Sequence, residues 1–126
     1  MRTIVIETDS VTMEAELRDT PAASAIWEAL PITGRANTWG DEIYFSTGLN
    51  LELEADATET MPVGSLAYWP PGTAFCILFG PTPASGRDGM PTLASTSNFI
   101  GSVTGDATEF RAVKGGARIT VRRKGD

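Results

Sequence analysis

Aromatic side chains are the residues of this sequence best suited to bind a ligand. They fall in short segments that are spaced like neighbouring strands, and rings from adjoining strands either fill a core or form the walls of a pocket. Ligand pockets are mostly apolar with a few polar groups, so we predict that part of this set binds a small apolar ligand or a peptide. Packing of the same rings in the core is the alternative. The candidate ligand-binding residues are Trp39, Tyr44, Trp69, Phe75, Phe79 and Phe99.

Arg35 is the candidate catalytic residue. It follows the predicted helix on the next predicted strand, and its planar guanidinium can donate to a carbonyl or carboxylate group of a ligand. We therefore place Arg35 beside the aromatic residues, where it would orient the ligand. An ordinary surface arginine is the alternative.

Histidine is absent from the chain, and Cys76 is the only cysteine. This excludes Ser-His-Asp and Cys-His catalysis within one subunit, and it removes the usual ligands of a zinc site. Glu52, Glu54 and Asp56 lie on one face of a predicted strand, but they lack the spacing of a calcium loop. We predict no metal site and no cofactor. Cys76 lies in an apolar run, which predicts a buried and unreactive thiol.

Two adjacent acidic residues, Asp41 and Glu42, fall in another predicted strand. Successive side chains of a strand point to opposite faces, so these two carboxyl groups cannot act as a paired acid and base. In this strand Glu42 shares a face with Tyr44, and Ile43 and Phe45 lie on the other face.

The overall composition predicts one domain, residues 1–126, in the cytoplasm. The net charge of −6 does not favour nucleic acid as a partner. The first residues lack the apolar stretch of a signal peptide, and no segment is apolar enough to span a membrane. The expected partner is a small molecule or a proline-containing peptide. The sequence does not decide whether the chain also forms a homodimer.

Periodicity predicts one main helix, at about residues 20–30, among about nine short strands. Thr20 or Asp19 can cap the helix, and Pro21 suits its first position. Thr12–Leu17 and Leu49–Ala55 alternate between apolar and polar residues, which is typical of strands with one exposed face. Many closely spaced strands indicate a meander or a barrel. The segment from Gly80 to Thr96 is rich in proline and glycine and is predicted as a long loop, either a flap or a passive excursion.

Three segments of the sequence resemble a small prokaryotic cyclophilin-like family of uncharacterised function. They are ANTWGDEIYFST (36–47), GSLAYWPPGTAFCILFGPTPAS (64–85) and NFIGSVTGD (98–106). The resemblance covers nearly the whole chain. It implies a mostly β fold closed into an eight-stranded cyclophilin-like barrel, smaller than a true cyclophilin, with one main helix and short helical turns.

The same resemblance raises a second function. True cyclophilins are peptidyl-prolyl isomerases that use a strand arginine and a hydrophobic proline pocket, and Arg35 corresponds to that arginine in chain order. The Phe-His-Arg context and the pocket histidine of true cyclophilins are not matched. Prolyl isomerase activity and a non-catalytic assembly subunit therefore remain the alternatives to ligand binding.

Overall fold

The computed structural model describes residues 2–126, which form a mostly β fold with one main helix, as predicted. Short 3-10 helices at Pro70–Gly72 and Ala107–Ala112 complete the structure. The helix, α1, spans Pro21–Ala29. The strands are β1 (Arg2–Glu7), β2 (Thr12–Leu17), β3 (Ile32–Arg35), β4 (Asn37–Thr38), β5 (Glu42–Ser46), β6 (Thr58–Thr60), β7 (Ser65–Trp69), β8 (Ala74–Leu78), β9 (Thr92–Val103) and β10 (Arg118–Arg123).

The strands form an open antiparallel sheet, so the predicted closed eight-stranded barrel is wrong. The order is β3-β10-β1-β2-β9-β7-β8-β5-β4, and β6 pairs separately with β9. The two ends of this path are consecutive in sequence, but β3 pairs only with β10 and β4 only with β5. Within residues 2–126, no ladder of hydrogen bonds joins β3 to β4 or β5. Near the two ends of the sheet, Gly34 of β3 packs against the ring of Phe45 of β5.

Helix α1 begins at the cap that the sequence predicts. The Thr20 hydroxyl accepts a hydrogen bond from the backbone N–H of Ala23 (3.3 Å), and Pro21 occupies the first turn. The Glu54 carboxylate accepts a second bond from the N–H of Ala22 at 2.7 Å. At the other end, Arg123 donates to the carbonyl of Trp27 and stacks on its ring. Both ends of the helix are thus fixed to distant parts of the chain.

The segment between β5 and β6 is not the strand that its alternation predicts. Residues 48–54 have no regular secondary structure, and their backbone groups bond to side chains instead. The buried Tyr68 hydroxyl donates to the carbonyl of Leu49 and accepts from the N–H of Leu51. The buried Asn98 amide binds the carbonyl of Glu52 and the N–H of Glu54, at 2.9 and 2.8 Å. Two side chains therefore replace the ladder that a strand would need.

Replacement of Tyr68 by phenylalanine is expected to destabilise the fold by about 1–3 kcal/mol, because it leaves the part-buried carbonyl of Leu49 and N–H of Leu51 without their partner. Denaturant unfolding measures the change. Tyr44→Phe is the matched control: Tyr44 is half-exposed, and its hydroxyl makes no hydrogen bond to any residue from 2 to 126, so its loss should change stability by less than about 0.5 kcal/mol. Equal stabilities of the two variants would contradict this account of the segment.

The predicted long loop is shorter than expected, because β9 already begins at Thr92. The remaining loop is held by its own polar side chains. Thr82 is buried and its hydroxyl donates to the carbonyl of Thr92, while the Ser85 hydroxyl donates to the carbonyl of Met90 at 2.7 Å. The loop also bonds to the chain before β5, since the N–H of Asp41 donates to the carbonyl of Pro81.

Candidate functional site

Strands β7, β8 and β5 form a section of sheet that is covered on both faces. On the inner face, Phe45, Tyr68 and Phe75 pack into the main core. On the outer face lies a second apolar cluster that includes Ala67, Cys76 and Leu78. A strand that is apolar on both faces needs cover on both, and here Met61 and Leu93 supply part of the outer cover.

A pocket opens at one margin of this outer cluster. Its volume is about 170 Å³. The three rings are half-buried and Ala94 is exposed, so the pocket reaches the surface. We call it the aromatic pocket, and its lining residues are Trp39, Glu42, Tyr44, Trp69 and Ala94.

Strand register and one tight turn bring the pocket residues together. Glu42 and Tyr44 are two apart in β5, so their side chains share the outer face. The turn between β4 and β5 is closed by a bond from the N–H of Trp39 to the carbonyl of Glu42 (3.0 Å), which places Trp39 beside Glu42. Gly40 makes this turn with a φ of +61°, and a Cβ there would lie 2.9 Å from the Cα of Thr82.

The Trp69 side chain is fixed in place. Its indole N–H donates to the Ser95 hydroxyl at 2.7 Å, and its ring lies over Gly72. Tyr44 meets Trp69 edge to face, with ring centroids 6.2 Å apart. These contacts form one wall of the pocket and hold it without a ligand.

Among the residues that the structure describes, Glu42 is the one acidic group that lines the pocket, and it is buried. Only 4% of its surface is exposed, and its Oε1 atom has no hydrogen-bond partner in residues 2–126. Burial raises the pKa of Glu42 from 4.5 to about 7, partly offset by a hydrogen bond from Cys76. A buried carboxyl with an unpaired oxygen is the kind of polar group that ligands satisfy.

Cys76 lies beneath Glu42 in the neighbouring strand and is fully buried, as predicted. Burial, and then the nearby Glu42 carboxyl, raise the pKa of the thiol well above its ordinary range. Its Sγ is 3.8 Å from the carbonyl of Ala74. Cys76 is therefore a neutral, buried neighbour of Glu42 and does not supply a thiolate.

The structure separates the six aromatic candidates into two groups. Trp39, Tyr44 and Trp69 line the aromatic pocket, and Phe99 packs against the outer cluster under the guanidinium of Arg18. Phe75 and Phe79 are buried in the main core.

Arg35 is not brought to the aromatic pocket. Its side chain is exposed and donates weakly to the carbonyl of Gly116, at 3.4 Å. It lines a different hollow, formed by β3, β10 and the turn after β1, whose other residues include Glu7 and Arg118. Arg35 and the rings of the aromatic pocket therefore lie in separate parts of the fold.

Sequence reasoning missed Glu42 as a site residue. The spacing correctly excluded a pairing with Asp41, and in the structure Asp41 instead binds Arg111 at 2.9 Å. The available signal was that Glu42 shares its strand face with Tyr44, opposite an apolar strand that carries Cys76 and Leu78.

The acidic residues Glu52, Glu54 and Asp56 do not converge. Glu54 binds the start of α1, and Asp56 pairs with Arg18 at 3.1 Å. In the part of the chain that the structure describes, residues 2–126, no three acidic or cysteine side chains gather as metal ligands would. Within the same range, no helix has the length and apolar character to cross a membrane.

The open antiparallel sheet and the single helix make this a small, mostly β protein. Comparisons with known proteins identify its family. The chain belongs to the cyclophilin-like family, which it matches over residues 2–122, and this confirms the resemblance found in the sequence. It is similar to a hypothetical protein from Archaeoglobus fulgidus solved in solution. The two are 37% identical with a TM-score of 0.79, over 97% of this chain and 94% of the other. No curated protein matches the chain.

Proposed function

We propose that this protein binds a small ligand, or one side chain of a peptide, in the aromatic pocket. The supporting observation is an aromatic-walled space of about 170 Å³ that is also lined by Glu42, a buried acidic residue whose Oε1 atom has no hydrogen-bond partner in residues 2–126. An apolar cavity of about 150 Å³ is large enough for benzene, so a group the size of one ring fits. Three rings provide apolar contact, and one carboxyl group provides orientation, which is the usual composition of a ligand site.

The size of the pocket limits the ligand. Pockets for drug-sized molecules have volumes of about 300–1,000 Å³, so a larger ligand would place only one group inside and leave the rest on the surface. A group this small supports dissociation constants from about millimolar to micromolar.

A screen of single-ring compounds tests the proposal. Binding should shift the amide NMR signals of Trp39, Glu42, Tyr44 and Trp69 and alter tryptophan fluorescence. Trp39→Ala removes one wall and should weaken binding about tenfold or more. Trp27→Ala is the matched control, because Trp27 lies on α1 against Arg123, away from the pocket, and its loss should leave the affinity unchanged.

Two results would contradict the proposal. One is a screen in which no compound shifts these signals at millimolar concentration. The other is a set of hits whose affinity is the same in Trp39→Ala and in wild type. Circular dichroism of each variant checks that the fold is retained.

A further inference from the structure

The unpaired oxygen of Glu42 limits the chemistry of the ligand. Its Oε1 atom is buried and accepts no bond from residues 2–126, and it belongs to a side chain that lines the aromatic pocket. A wholly apolar ligand would leave this oxygen without a partner, as it is in the free protein, and would gain nothing from the Glu42 carboxyl group. A ligand that donates a hydrogen bond or carries a positive charge would satisfy it.

The walls favour a positive charge over a neutral donor. Two indoles and one phenol surround the space, and the faces of these rings carry partial negative charge that attracts cations, most strongly for tryptophan. The edge-to-face arrangement of Tyr44 and Trp69 places two rings at an interplanar angle of 72°, so a compact group can contact both. Rings around one carboxylate form the kind of cage that recognises alkylated ammonium groups.

Among residues 2–126, no basic side chain lines the pocket to compete for Glu42. Its five lining residues include neither lysine nor arginine. The group in contact with the Glu42 carboxyl is the neutral thiol of Cys76 from β8, and Tyr44, from the same strand as Glu42, lines the same pocket. The turn before β5, β7 and β9 contribute Trp39, Trp69 and Ala94, none of which is charged. The adjacent Asp41 is already paired with Arg111.

We propose that the group bound in the aromatic pocket is a small organic cation of the alkylated ammonium class, paired with Glu42 and enclosed by the rings of Trp39, Tyr44 and Trp69. This inference rests on the ligand-binding function proposed above and specifies the chemical class of the ligand.

Binding of such a cation should release a proton. In the free protein the pKa of Glu42 is about 7, so below that pH most molecules carry a neutral carboxyl group that must lose its proton to pair with the cation. The affinity is therefore expected to fall about tenfold for each pH unit below 7 and to level off above pH 8. A neutral ligand of the same shape has no such dependence.

Choline and its uncharged carbon analogue 3,3-dimethyl-1-butanol are the two probes of the experiment. Tryptophan fluorescence, with NMR shifts to locate the site, gives the dissociation constants at pH 5, 6, 7 and 8. Choline should bind at least tenfold more tightly than the analogue at pH 8, and this preference should disappear by pH 5. Glu42→Gln keeps the shape of the side chain but removes its charge, so it should weaken choline binding at pH 8 about tenfold and abolish the pH dependence.

The outcomes separate this inference from the proposed function. Binding of the neutral analogue as tightly as choline, or choline binding that survives Glu42→Gln unchanged, would overturn the cation inference and leave a neutral-ligand pocket standing. If single-ring compounds bound in the pocket and choline did not, the cation inference would likewise fail and the ligand-binding function would stand. If neither probe nor any ring compound bound there, both proposals would fail.

Discussion

Gly101→Ala is expected to be the most damaging single methyl addition in this protein, with a loss of about 3 kcal/mol or more of unfolding free energy. Gly101 lies in β9, between Leu17 of β2 and Leu66 of β7. A Cβ at this position would lie 2.3 Å from the carbonyl oxygen of Glu16. That atom belongs to the backbone of a paired strand, so it cannot move aside as a flexible side chain could.

The position of Gly101 explains why the strain would spread. The pairing of β9 with β7 changes register between Leu66 and Ala67, and this irregularity lies next to Gly101. Separation of the strands there would weaken both the β2–β9 and the β7–β9 pairings. The same strand carries Ala94 of the aromatic pocket and Ser95, which orients Trp69.

Gly86→Ala is the matched control for this substitution. Its closest contact would be 3.8 Å, to a side-chain atom of Asp88, so a methyl group has room. Denaturant unfolding of the two variants should show a large loss for Gly101→Ala and a change within about 0.5 kcal/mol for Gly86→Ala. If both variants unfolded at the wild-type midpoint, the close approach of β2 and β9 would be wrong.

Local signals in the sequence were sufficient where the element depends on its own residues. Thr20 and Pro21 predicted the start of α1 because a cap and a first-turn proline act within one helical turn. The alternation of Thr12–Leu17 predicted β2 because one face of that strand is buried against the core. The family resemblance also rested on residues that are read directly from the chain.

Long-range pairing was not predictable from the same signals. Leu49–Ala55 alternates like a strand, but its backbone bonds go to Tyr68 and Asn98, which are distant in sequence. Closure of the sheet depended on whether β3 pairs with β4 or β5, and the spacing of strands carries no information about that choice. The open sheet is therefore a property of the assembled fold.

The candidate site was partly predictable for a related reason. Aromatic composition identified Trp39, Tyr44 and Trp69, but it could not separate them from Phe75 and Phe79, which face the core. That distinction requires the register of β5 on β8, in which Tyr44 pairs with Cys76 and Phe45 with Phe75. Glu42 was missed because an acidic residue in an alternating strand usually marks an exposed face.

Glu42→Gln is expected to stabilise the free protein at high pH while it weakens the cation binding proposed above. Burial raises the pKa of Glu42 from 4.5 to about 7, so the unfolded chain ionises first as the pH rises and the folded state keeps its proton. The wild-type protein therefore loses stability through this group between about pH 4 and pH 8. A shift of this size corresponds to about 3 kcal/mol, at about 1.4 kcal/mol per pKa unit.

Denaturant unfolding of wild type and Glu42→Gln at pH 4 and pH 8 measures this effect. The quantity to compare is the difference in unfolding free energy between the two proteins at each pH. Glutamine does not titrate, so its advantage over wild type should grow by about 3 kcal/mol from pH 4 to pH 8. Glu59→Gln is the control: Glu59 is exposed in β6, and its substitution should change stability by less than about 0.5 kcal/mol at either pH. A Glu42→Gln advantage that is constant with pH would mean that the carboxyl group is already solvated. The unpaired oxygen would then supply no reason for the pocket to select a cation.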